Sequence, residues 1–150
     1  MLSAKLIRLI EEHWESIASR VIREIRHDPR MPHIARLPES ELREWGEKVL
    51  RNMDHWFTAR GEHEVAERYE RLGRQRFEES VPLGESVCAL FLLKERMLDF
   101  IRDEGIGQNA VDLYAEEELE HHVGRFFDSL IYHLVHGYED AMRRAAQMVV

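Results

Sequence analysis

From Asn109 to about Met148 the chain carries no proline, and Leu119, Val123, Phe126, Leu130, Leu134, Tyr138 and Met142 recur at near-heptad spacing. That pattern predicts a helix with one apolar stripe. At about 1.5 Å per residue it would run roughly 60 Å, whereas a globule of this length is only about 40 Å across. Either the segment breaks, between Leu113 and Glu116, or one end projects beyond the rest. A projecting stripe has to be covered, most often by a second copy of the same chain. We therefore expect a homodimer, with Phe126, Phe127, Leu130, Leu134 and Tyr138 divided between the protomer core and a dimer surface.

The rest of the sequence reads as helix too. Ile7, Ile10, Trp14, Ile17, Val21 and Ile25 stand at three- and four-residue steps in a first helix that should end near His27, because Pro29 restricts Asp28. Pro29, Pro32 and Pro38 mark a connector. A second helix starts at Pro38 or Glu39, with Leu42, Trp45, Val49, Met53 and Trp56 on its stripe and Gly61 as its stop. The third, more polar helix covers residues 62–80 and ends at Pro82. The fourth covers about 83–103 and is apolar nearly all round from Val87 to Leu93, which makes it the expected central element. Gly105 and Gly107 predict a tight turn, and Asn109 with Asp112 an N-cap for the final helix. The expected fold is one all-α domain over residues 1–150. It is an antiparallel bundle of about five helices, globin-like or four-helix-bundle-like, with a long C-terminal helix.

Composition narrows the function. The chain is 44% hydrophobic and 33% charged, with 8 Gly and 4 Pro, proportions that suit helices and not a many-stranded sheet. A net charge of −8 disfavours nucleic-acid binding, which needs surplus Lys and Arg. The single Cys, Cys88, excludes an intrachain disulfide and suits a reducing cytoplasm. Placed within the apolar run, it reads as a small buried hydrophobe. No apolar run is long enough to span a bilayer, and no signal peptide is seen at the N-terminus.

Nine histidines raise the question of a metal. The pairs Glu24 with His27 and Glu118 with His121 have Glu-x-x-His spacing, yet His27 falls at a helix end. His122 and His133 lie roughly 16 Å apart along a helix and cannot share an ion. His133, His136 and Asp140 have the spacing to share one helix face and are the remaining candidate ligands. Against them stands the reading that His133 and His136 edge the apolar stripe. Arg74 and Arg76, with Lys94 and Arg96, could form a small anion-receptive patch, although ordinary salt bridging explains them as well. Any ligand pocket is expected near Trp56, Tyr69 and Phe91. No pair of carboxylates and no nucleophile–base set stands out, so we expect no enzyme.

The run Tyr69 to Val87, which carries Leu72, Gly73, Arg76 and Pro82, is followed by an apolar helix and a final helix with Tyr132 and Tyr138. Together with the Trp14 helix and the Leu37-Pro38-x-x-x-Leu42 stretch, it resembles the N-terminal domain of RsbR/RsbRD-type RsbT co-antagonists, found also at the head of some bacterial sensor kinases. The resemblance spans about residues 5–142. It implies an all-helical, dimeric, non-enzymatic sensor or scaffold in the bacterial stress response, one that modulates a STAS or kinase output. No phosphoacceptor carries over, because the family's phosphorylated threonines lie beyond this region and Thr58 is the only threonine here. The motif is also distantly similar to that of globin-coupled sensors, where a His holds haem iron. Arg76 stands at that position, and a guanidinium has no lone pair to offer. The resemblance thus implies a helical sensor without haem, acting by homodimerisation and protein contacts. A metal- or haem-binding helical bundle is the alternative.

Overall fold

The computed structural model describes residues 2–104 and 110–148, and among them every regular element is helical. In order these are α1 (Leu2–Glu12), α2 (Trp14–His27), a short 3₁₀ turn (Ile34–Arg36), α3 (Glu39–Leu50), α4 (Met53–Trp56), α5 (Ala59–Glu78), α6 (Leu83–Glu104) and α7 (Ala110–Met148). No helix among the described residues is long and apolar enough to cross a membrane.

The first predicted helix is two. It kinks at His13, whose imidazole reaches the Leu9 carbonyl at 2.9 Å, within range of a hydrogen bond, alongside its own backbone N–H at 3.0 Å. A side chain bonding four residues back is a known cause of helix bending. The expected end at His27 is where α2 stops. The Pro-rich connector is not a solvated loop, because it lays Met31 and Ile34 into the core. Glu85 of α6 pins it there. Its carboxylate accepts from the backbone N–H of His33 at 2.7 Å and of Ile34 at 3.2 Å, and meets the His33 imidazole at 2.5 Å.

Gly61 does not end a helix. The break comes earlier, around residues 51–58, and Gly61 sits in the first turn of α5, where it donates its N–H to the capping Thr58 hydroxyl at 3.0 Å. Its glycine identity has another cause: a Cβ would lie 1.9 Å from the His55 carbonyl oxygen. At the far end of α5, Ser80 takes φ 61°. Val81 N–H then bonds Arg76 C=O at 2.9 Å and Ser80 N–H bonds Phe77 C=O at 3.0 Å, a Schellman closure with serine in the glycine position.

α6 packs against α1, α2, the 3₁₀ turn, α5 and α7. It is not buried all round, since Phe91 is 48% exposed while Leu90, Leu93, Met97 and Ile101 face the core. The expected turn at Gly105 and Gly107 and the Asn109 cap lie outside the described residues. α7 continues unbroken through Leu113 to Glu116, 39 residues in all. Its stripe is covered from within the protomer by α5, α6 and α1. Beyond Gly137 no α7 side chain is buried, so the last turns leave the core.

The most extensive pairing is α5 with α7. Glu70 meets His133 and His136, and further on Phe77 packs edge-on to Tyr138. The two helices thus run in the same sense. α6 returns between them in sequence, and Arg102 near its end bridges to Glu120 near the start of α7 at 3.2 Å.

Candidate functional site

A cleft of about 520 Å³ opens between α3, α4, α5 and α7. Three- and four-residue steps aim Trp45 and Val49 into it from α3, and Val65, Tyr69, Leu72 and Arg76 from α5. Trp56 of α4 and Phe126 of α7 complete the walls. Both indole N–H groups are satisfied within the protein, one of them by the Tyr69 hydroxyl. Trp45 Nε1 donates to the Tyr69 hydroxyl at 3.1 Å. Trp56 Nε1 donates to the Lys48 carbonyl at 2.9 Å, one of the carbonyls that α3 leaves open by ending at Leu50. The rings thus turn mainly carbon toward the cleft. Burial pushes the Tyr69 hydroxyl above the ordinary tyrosine range, against the opposing effect of the Trp45 hydrogen bond.

Charge is distributed around this apolar lining. Arg76 is 6% exposed and its Nη1 donates to Glu41 at 3.0 Å and Glu79 at 3.1 Å. Two carboxylates therefore compensate the buried guanidinium. Lys48 pairs with Glu44 at 2.9 Å, and the bond to Lys48 holds the Glu44 carboxyl below its usual range. The Arg68 guanidinium lies 5.3 Å from the centre of the Trp56 ring, a cation–π distance. Next to Trp45 and Arg76 a second void of about 30 Å³ touches Ser86, whose buried hydroxyl has no hydrogen-bond partner among the described residues.

Of the motif residues, Leu72 lines the cleft and Arg76 closes its inner side, while Gly73 faces α7 and Pro82 is exposed ahead of α6. Trp56 and Tyr69 belong to the cleft as expected. Phe91 does not: it lies on the outer face of α6, where Lys94 covers it at 5.3 Å. The stripe residues Phe126, Phe127, Leu130 and Leu134 are all in the protomer core, so none of these four is left for a dimer surface. Tyr138 is half-buried and donates its hydroxyl to the Val81 carbonyl at 3.0 Å, tying α7 to the α5–α6 turn.

The candidate metal ligands do not come together. His136 Nδ1 lies 2.6 Å from Glu70 and His133 Nδ1 3.5 Å from it, whereas Asp140 turns away to Arg144 at 3.2 Å. Glu24 pairs with Arg96 at 2.8 Å and His27 bonds the Arg23 carbonyl. Among the described residues no group of three or more His, Cys, Asp or Glu is arranged to hold a metal ion. The anion patch is likewise dispersed, since Arg76 serves Glu41 and Glu79 while Arg96 serves Glu24 and Asp99. Cys88 is half-buried in the packed face of α6. Sequence reasoning passed over Arg68 and Arg71, although their places one residue before Tyr69 and Leu72 put them beside the same apolar stripe.

The family model for the N-terminal domain of the RsbT co-antagonist protein rsbRD matches residues 15–149. The chain belongs to this family. No curated protein and no solved structure matches it. In this member of the rsbRD N-terminal family, the Leu72-Gly73-Arg76 motif therefore has a physical reading. It places one cleft wall, one helix–helix contact and one compensated buried cation on successive faces of α5. None of the three needs to be catalytic.

Proposed function

We propose that the chain is a non-catalytic signal-transduction module, a sensor or scaffold that works by homodimerisation and by contact with a partner of the STAS or kinase type. The observation that carries this reading is the family match over residues 15–149. A regulatory family, a cleft walled by aromatic groups and a motif built for packing all agree with a binding role. The expected setting is the bacterial cytoplasm and its stress response.

Dimerisation draws support from the C-terminal part of α7, where the expected stripe runs on past the core. Ile131, Val135, Tyr138, Met142 and Ala145 follow steps of four and three along α7; Ile131 and Tyr138 also pack within the protomer, and none of the five is fully buried. That spacing is the seam of a two-helix coiled coil. A second copy laid against the final turns would cover Met142, which is 46% exposed.

Titration calorimetry of the protein against a purified STAS-domain protein and, separately, a serine kinase of the RsbT type tests the partner reading. We expect saturable binding to at least one, with a dissociation constant in the micromolar range or below. Absence of heat with both, at concentrations where the protein is folded and dimeric, would refute it.

A further inference from the structure

We propose that the cleft between α3, α4, α5 and α7 binds an amphipathic organic anion, a molecule with a planar apolar body and one acidic group. The volume of about 520 Å³ lies within the range of small-molecule sites. The body is selected by the walls: Trp45, Trp56, Tyr69 and Phe126 bring ring surface to the cleft, and both indole N–H groups are already bonded. A ligand there meets apolar ring surface, for which offset and edge-on geometries are favoured, and at Trp56 it meets Arg68 as well.

The sign of the polar group follows from the charges. In a protein of net charge −8, the cleft is lined by four cations, Lys48, Arg68, Arg71 and Arg76, and two carboxylates, Glu41 and Glu44. Glu41 is held by Arg76 and Glu44 by Lys48. Arg68 and Arg71 are left over, with no carboxylate within ion-pair distance among the described residues. Of the carboxylates one turn back, Glu64 bonds His55 at 2.8 Å and feels the Arg68 charge, and Glu67 lies 3.4 Å from His63, both side chains being open to solvent. Two guanidiniums with donors to spare, beside an apolar cleft, form a receptor for a carboxylate, sulfonate or phosphate.

The inference does not depend on dimerisation or on any protein partner, because binding is measured on the chain alone. The test compares two dyes with the same aromatic body, 8-anilinonaphthalene-1-sulfonate and its uncharged counterpart N-phenyl-1-naphthylamine. It uses a Trp14→Phe background, so that the only remaining indoles, those of Trp45 and Trp56, report through energy transfer. We expect one sulfonate dye per chain, with transfer from the cleft tryptophans, and binding of the uncharged dye weaker by about tenfold, the worth of one charge-assisted contact. Arg68→Gln with Arg71→Gln should abolish that preference, bringing the two dyes to equal affinity in a variant that still melts cooperatively. Equal affinity for both dyes, a preference that survives the double substitution, or dye binding without energy transfer would each overturn the proposal.

Discussion

Gly73 and Gly137 cut reciprocal notches where α5 meets α7. A Cβ on Gly73 would lie 2.2 Å from the Leu134 carbonyl oxygen, and one on Gly137 2.0 Å from the Glu70 carbonyl oxygen. Backbone cannot retreat as a flexible side chain can, so the two helices reach this separation only with hydrogen at both positions. The contact brings Glu70 within reach of His133 and His136, and sets Phe77 against Tyr138. It also fixes Tyr69 and Leu72, the neighbours of Gly73, in the cleft wall.

Alanine at either glycine should therefore destabilise the fold, by about 1–3 kcal/mol or more, the cost of overpacking. Gly124, in the same helix, is the control, because a Cβ there meets nothing within 4 Å. Gly124→Ala should stabilise by about 0.5–1 kcal/mol through helix propensity alone. Urea titration followed by circular dichroism reads all three, and a stabilising Gly73→Ala would contradict the close approach.

Ser80 holds a left-handed backbone in the turn that carries Val81, the acceptor of the Tyr138 hydroxyl bond. Ser80→Gly should raise stability by about 1 kcal/mol, since glycine adopts this conformation without the Cβ penalty. A loss of stability measured by thermal melting would mean that the serine side chain matters more than its backbone.

Leu130 is fully buried in the protomer. Leu130→Glu should cost at least about 3 kcal/mol by stranding a charge in the core, and the variant should unfold or expose hydrophobic surface. Chemical denaturation showing stability within about 0.5 kcal/mol of the parent, the range of ordinary surface changes, would place this stripe outside the core.

Tyr69 gives the fold an alkaline limit. Burial raises its hydroxyl above the ordinary value of 10.0, so the folded protein stays protonated there while the unfolded chain ionises. Its contribution is intact below that pH and is lost as pH rises, by up to about 1.4 kcal/mol per pH unit. Tyr69→Phe removes the bond from Trp45 and should cost about 1 kcal/mol at neutral pH. Melts between pH 7 and 11 should show the gap from the parent narrowing at the alkaline end. A gap that widens would reverse the sign of the argument.

Helical periodicity made the long final helix, the end of α2 at His27, the start of α3 after Pro38 and the span of α6 legible, because each rests on a repeat or on a proline. Glycine punctuation misled at Gly61, where close packing against His55 looks in sequence like a helix stop. The buried connector was invisible for a related reason: prolines announce a turn and say nothing about whether Met31 and Ile34 beside it face inward. Trp45, Trp56 and Tyr69 could be placed on apolar faces, yet their convergence on one cleft is a tertiary fact. The same holds for His133 and His136, whose partner Glu70 lies more than sixty positions away in the chain. Periodicity also overstated what the Phe126 to Leu134 stripe leaves for a second copy, since it cannot tell cover by α5 and α6 from cover by another protomer.

The central claim is a dimeric module, and its most direct measurement is the mass in solution by size-exclusion chromatography with light scattering, at tens of micromolar. A dimer gives about twice the protomer mass of 17.8 kDa, and a Val135→Glu, Met142→Glu variant that melts as cooperatively as the parent should revert to a single protomer. A parent species of 17.8 kDa at every concentration, or a dimer indifferent to both substitutions, would contradict it.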